Sequence, residues 1–478
     1  MDFTQIYKHS LVSFSFGGQF ILTALQDRLV VRRTDSLQII ATWLLEAPTT
    51  SKSPLHISHI GWSCDSEYLF AACTSLGFID VFKLKEESWK ARIEAGAEGL
   101  VKAEWAPDGR TLICTSEWGV SLVFISILLS QLRITLWSLV TGTATHIQYP
   151  VHSDSAYAFR ADGRYFALAE RHRSKDTLGV YDALHGYSMV RHFPLPTSNL
   201  GSLSLSPTGN YLAVSEGPLE FRLHIVTLAG SVVSSFSPDV DPGFGVRCVA
   251  WHPTGSLLAV AGRDNKVHIL DNLSWTSVAT LTLSSKLASD TATVLNCVFL
   301  QIVWREPADW LVATEGRGFL SYEKTSGART IPIPRVDMSK GTPKSGAVQL
   351  EWSKSGAFLL VRFESTPTVA HIYDFPVPDQ PLTPRLRSVL IHTQPITNAR
   401  WNPESDRIAL CCGGQSIYIW SNEWVNEDGT AEDMAECVGI PAEKFDCREL
   451  KWSPVGKGLL LMSKDMFCCA FDVEEEEV

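Results

Sequence analysis

The chain has 478 residues, of which 45% are hydrophobic and 19% charged, with a formal net charge of -11 and a pI near 5.7. It is long enough for two or three ordinary domains, and an acidic balance without any block of lysines or arginines argues against nucleic acid or an anionic membrane as the main partner, leaving a protein. No apolar run reaches the roughly 18 residues of a helical span, and the polar N-terminus does not read as a signal peptide, so the expected location is the cytoplasm.

In chain order, the opening MDFTQIY reads as a free strand. A unit then recurs in which an aromatic or leucine precedes a polar turn and an apolar triplet follows about twenty residues later. The leading positions are Phe14, Trp62, Trp105, Phe159, Leu205, Trp251, Trp352, Trp401 and Trp452. The closing positions are Arg32, Phe82, Trp137, Tyr181, Val226, Leu270, Tyr373, Trp420 and Phe471. Eight of the nine intervals fall between 18 and 22 residues, so one supersecondary unit repeats from end to end.

The unit VRCVAWHPTGSLLAVAGRDNKVHILD shows its content. Val246, Cys248 and Ala250 alternate before a Pro253-Thr254-Gly255 turn, an apolar run covers 257–260, and a second turn covers 262–265. Three antiparallel strands follow, the middle one apolar on both faces as a strand between neighbouring sheets must be. SMVRHF after Tyr181 and TSVATL after Leu270 supply a fourth strand. The fold expected is all-β: a WD-repeat-like β-propeller, a single closed ring of about nine four-stranded blades, with seven or eight blades plus an appended unit as the alternative. The last unit stops at its third strand, FCCAFDV, so the opening strand is expected to complete it and remove an exposed edge.

One propeller over 1–478 is interrupted at about 120–131, 283–346, 375–387 and 422–446, and an acidic tail occupies 474–478. The first interruption is odd in kind. The Trp105 to Trp137 interval is 32 residues, and removing the apolar Val120 to Gln131 restores it to 20. Hydrophobic surface exposed in a turn has no evident partner, and the segment reads as a translated intron or gene-model error. The other three are expected to loop out from their blades. The eleven cysteines lack any Cys-x-x-Cys spacing and fall mostly near apolar strands, which fits reduced core thiols.

A phosphate loop, a dinucleotide glycine pattern, a His-Glu-x-x-His helix, zinc-ligand pairs and a nucleophile elbow are all missing, so neither enzymatic activity nor a cofactor or metal is expected. The leading aromatics belong to the core, and function falls to the loops at the blade ends. Charge concentrates in ERHRSKD, Glu170 to Asp176, where Arg171, Arg173 and Lys175 offer charge-assisted hydrogen bonds to acidic groups. The candidate partner-binding residues are Tyr7, Lys8 and His9; Glu170, Arg171, Arg173 and Lys175; and Lys464 and Asp465.

YKHS at 7–10, RLVVR at 28–32, LRITLWSL at 132–139, GRYFALAER at 163–171, KVHIL at 266–270 and LLMSKDMFC at 460–468 resemble the WD repeat-containing protein eight family, in order along nearly the whole chain. The resemblance implies a non-catalytic scaffold that binds a coiled-coil anchoring protein at spindle pole bodies or centrosomes. There it would help tether microtubule minus ends and support spindle organisation, with a minus-end-directed kinesin as a further associate. The Gly-His and Trp-Asp dipeptides of ordinary WD repeats are mostly replaced here, with Trp137-Ser138, Tyr181-Asp182 and Trp420-Ser421 as partial forms. A scaffold of another machine, such as translation or ubiquitin ligation, is the alternative.

Overall fold

A computed structural model describes the chain apart from residues 10, 48–53, 96–98, 122–127, 153, 288–291, 295–296, 300–301, 317, 326–328, 335–343, 376–382, 426–430, 443 and 473–478. The chain is all-β, and among the described residues nine sheets of four or more strands give it a nine-bladed β-propeller arrangement. Among the described residues the only α-helix is the four-residue turn Trp310–Ala313.

The repeat spacing has a simple cause. Trp62 faces Leu69 across the first hairpin, and Leu69 faces Phe82 across the second. Trp105, Leu112 and Trp137 are joined in the same way, as are Trp401, Ile408 and Trp420. Leader and closer therefore share one rung of the sheet, and only the two hairpin lengths decide how many residues separate them. The first hairpin is fixed by its polar turn. The hydroxyls of Ser63, Ser206 and Ser453 accept from the backbone N–H five residues on, at 2.9 to 3.1 Å.

Two compact units divide the chain. Residues 8–216 with 224–233 carry sheets 11–44, 59–94, 102–148, 157–194 and 200–236. Each sheet packs on the next through its middle strands: Leu22 and Val31 meet Leu69 and Phe82, Val81 meets Leu112, Ile134 meets Phe166, and Val180 meets Val214. Residues 1–7, 217–223 and 234–478 carry sheets 248–282, 347–391, 398–439 and 449–471. There Ile269 meets Leu359, Phe358 meets Trp401, and Ile419 meets Leu459.

Within each unit the leading tryptophans also tie sheets together. The indole N–H groups of Trp62 and Trp105 donate to the carbonyls of Ser13 and Gly61, at 3.4 and 3.2 Å. Those of Trp352, Trp401 and Trp452 donate to Ala250, Glu351 and Arg400, at 3.1, 2.9 and 3.0 Å. Each acceptor is the residue just before the leading position of the preceding sheet. Tryptophan thus fills the wedge and satisfies a backbone carbonyl of the preceding sheet with one side chain, a bond worth about 1 kcal/mol net.

The last sheet is completed by the N-terminus, as its sequence required. Asp2 and Phe3 pair antiparallel with Phe471 and Ala470, and Thr4 exchanges two bonds with Cys469, both 2.9 Å.

The interruptions are more regular than their composition suggests. In the third sheet, Thr111–Ser121 and Leu128–Ser138 form one ladder from Thr111↔Ser138 to Ser121↔Leu128, so the described part of the surplus lengthens two paired strands. Within 283–346, Ile302–Arg305 joins the outer edge of sheet 347–391 in parallel and Glu323–Thr325 pairs onto it, while Phe319–Ser321 joins the outer edge of sheet 398–439. The insertion covers two edges that would otherwise offer unpaired backbone groups. The stretch 422–446 is mostly strand: Ser416–Val425 pairs with Ala431–Gly439. Its acidic composition conceals this because Asp433 is buried against the Arg387 guanidinium at 2.7 Å and the Ser388 hydroxyl at 2.9 Å. Residues 122–127 and the tail from 473 lie outside the described residues, as does 376–382, the larger part of the interruption expected at 375–387. Ten described cysteines are free thiols, eight of them buried.

Candidate functional site: the end of the fourth blade

The fourth sheet, 157–194, carries the basic hairpin. Tyr165–His172 and Lys175–Asp182 pair as far as His172↔Lys175, leaving Arg173 and Ser174 as a two-residue link. Both linking residues are left-handed, with φ of 50° and 64°, as a type I′ turn requires. The turn holds the Arg173 and Lys175 side chains outward, and both are exposed.

Arg171 behaves differently. Its guanidinium donates to Asp176 Oδ1 at 2.7 Å and to Asn199 Oδ1 at 2.9 Å. Asp176 is fully buried and also accepts from Thr197 Oγ1 and the Leu200 N–H, at 3.1 and 2.7 Å. That network docks the 197–200 loop onto the hairpin and is structural.

Glu170 lies under the hairpin with its side chain 4% exposed. The Tyr181 hydroxyl donates to Oε1, and burial together with this carboxylate pushes the Tyr181 phenol well above its ordinary pKa. Oε2 faces two imidazoles: His172 Nε2 at 3.2 Å and, from the outer strand Ser188–Pro194, His192 Nε2 at 3.4 Å. Gly179 on the intervening strand makes this possible. A Cβ there would collide with Glu170 Oε1 and come within 2.7 Å of the Tyr181 ring. Among the described residues, Glu170, His172 and His192 form a group whose ligand atoms all lie within 4.8 Å of one another.

The other candidates are placed elsewhere. Tyr7 stacks on Phe467 with ring centroids 5.3 Å apart, Lys8 is exposed, and His9 is buried. Lys464 and Asp465 are exposed in the turn closed by Ser463 and Met466. Sequence reasoning missed His192, which is 20 residues from His172 and two strands away. The available signal was Gly179, a glycine inside a strand between Leu178 and Val180, which marks a close approach.

Comparison with known proteins adds family context. Residues 384–421 match the WD domain, G-beta repeat, and residues 221–306 match the anaphase-promoting complex subunit 4 WD40 domain. WD repeat-containing protein WRAP73 of Mus musculus is 29% identical over 489 aligned residues, covering 100% of this chain and 97% of that protein. The uncharacterized WD repeat-containing protein C32H8.09 of Schizosaccharomyces pombe is 20% identical, covering 100% and 94%. Among solved structures, the C-terminal WD40 domain of Sif2 aligns over 92% of this chain and 99% of that one, at 14% identity and a TM-score of 0.47.

Proposed function

We propose that this chain, a WD-repeat propeller protein, is a non-catalytic scaffold that binds a coiled-coil anchoring protein and helps tether microtubule minus ends at the spindle pole body or centrosome, with a minus-end-directed kinesin as a possible further associate. The observation that carries the reading is collinearity: the likeness to WRAP73 runs through the whole chain, and the six quoted segments are spread from the first repeat to the last. A scaffold needs only well-placed blade-end loops on a rigid core. Arg173 and Lys175, held outward on a tight turn of a protein whose net charge is -11, form a local basic spot suited to acidic side chains of a helical partner.

The test is to tag the chain in dividing cells and identify what co-purifies. A coiled-coil pole component is expected. Replacing Arg173 and Lys175 together by glutamate should cut its recovery at least severalfold while the melting temperature stays unchanged. Arg171 is kept out of this test, because a glutamate there would face the buried Asp176. The match of 221–306 to an anaphase-promoting complex subunit's WD40 domain favours one second reading, a propeller subunit of another large assembly. Recovery of such an assembly without any pole component would establish that reading instead.

A further inference from the structure

We propose that Glu170, His172 and His192 bind one Zn²⁺ ion at the end of the fourth sheet, with a fourth coordination position open to solvent.

Donor type comes first. Two imidazoles and one carboxylate suit zinc and its neighbours, whereas magnesium and calcium prefer all-oxygen sites. Spacing comes second. Ligands around a tetrahedral zinc with bonds of about 2.0–2.1 Å stand about 3.3–3.4 Å apart, and the two separations from Glu170 Oε2 are 3.2 and 3.4 Å. The remaining edge, between the imidazole nitrogens, is within 4.8 Å. Rotation of two partly exposed rings closes it, their side chains being 43% and 36% exposed. The same exposure leaves the fourth position to water.

Charge comes third. A carboxylate buried this deeply requires a positive partner. The adjacent arginine in sequence, Arg171, is turned onto Asp176. One divalent ion would satisfy Glu170 and both imidazoles together. Backbone construction comes fourth. A glycine weakens a central strand relative to alanine, and the space that Gly179 leaves is filled by Glu170 Oε1. Tyr181, donating to Oε1, acts as a positioning residue that aims Oε2 at the metal.

The experiment uses the full chain, stripped with a chelator and titrated with Zn²⁺ by calorimetry and with Co²⁺ by absorption. One equivalent should bind, with the intense ligand-field bands of four-coordinate cobalt and a rise in melting temperature, and Mg²⁺ should produce neither. His172→Ala and His192→Ala should each weaken binding more than about 100-fold, and Tyr181→Phe by about 10- to 100-fold. If an alanine variant does not fold, His192→Gln is read by the same criterion. No saturable uptake, or uptake unchanged in the histidine variants, would overturn the site and leave Glu170 in a hydrogen-bonded His–Glu pair. Loss of the metal site would not affect the scaffold reading, which rests on other residues.

Discussion

His371 sits on the third strand of sheet 347–391, 1% exposed, with the edge of its ring toward Phe363. Burial pushes its pKa down to about 4. For a base, a folded value below the unfolded one means that the unfolded chain takes up the proton first. Its contribution to stability is therefore complete above about pH 6.5 and falls as pH drops toward 4, by up to about 3 kcal/mol. His392, also buried and also lowered to about 4, adds in the same direction. Urea midpoints at pH 7.5 and pH 5 should show the loss, and His371→Leu should flatten it. An identical pH slope in wild type and variant would contradict the assignment. At this scale the sequence was legible where one residue had one job. Trp62, Trp352 and Trp452 read correctly as core residues, but their second role was hidden, since the acceptor is a backbone carbonyl about fifty or more residues earlier. Glu170 read as a surface charge because its neighbours in sequence are charged, while its neighbours in space are a tyrosine and an imidazole from the outer strand.

Hairpins were the most legible elements, because a polar turn between apolar runs leaves little choice of pairing. Two features escaped. The strand Ala431–Gly439 was concealed by acidic residues whose buried member is neutralised by Arg387, and the edge strands within 283–346 are too short to carry a periodic signal. The long hairpin of the third sheet allows a direct test. Glu117 and Leu132 share a rung, so deleting 120–131 joins them through Trp118–Gly119 alone, a two-residue link with glycine second, as type I′ turns favour. The shortened protein should fold with a stability change under about 1 kcal/mol, since loop length enters only logarithmically. Urea denaturation would check this. Failure of the deletion to fold would show that the extended ladder is needed by the blade, and would count against the segment being a translated intron.

For the molecule as a whole, repeat number and strand order were legible because the same rung recurs in sheet after sheet. The partner-binding surface was not, because recognition depends on which charges remain free once internal pairs are made, and Arg171 against Arg173 shows that neighbours in sequence can differ in this. The N-terminal strand is the element on which completion of the last sheet depends. Removing residues 1–8 would strip Met466–Phe471 of both strands that pair with its outer side, Asp2–Phe3 and Tyr7–Lys8, and break both bonds between Thr4 and Cys469. A stability loss of about 2–4 kcal/mol and a tendency to associate through the bared edge are expected, to be read by thermal melting and light scattering. An unchanged melting temperature would mean that this pairing adds nothing. Those two residues stand 465 positions apart. On the ribosome, Thr4 must therefore wait, unmatched, until Cys469 has been made. Until then the nascent chain carries an unfinished seam, and a bulky tag fused ahead of Met1 would burden the step that closes it.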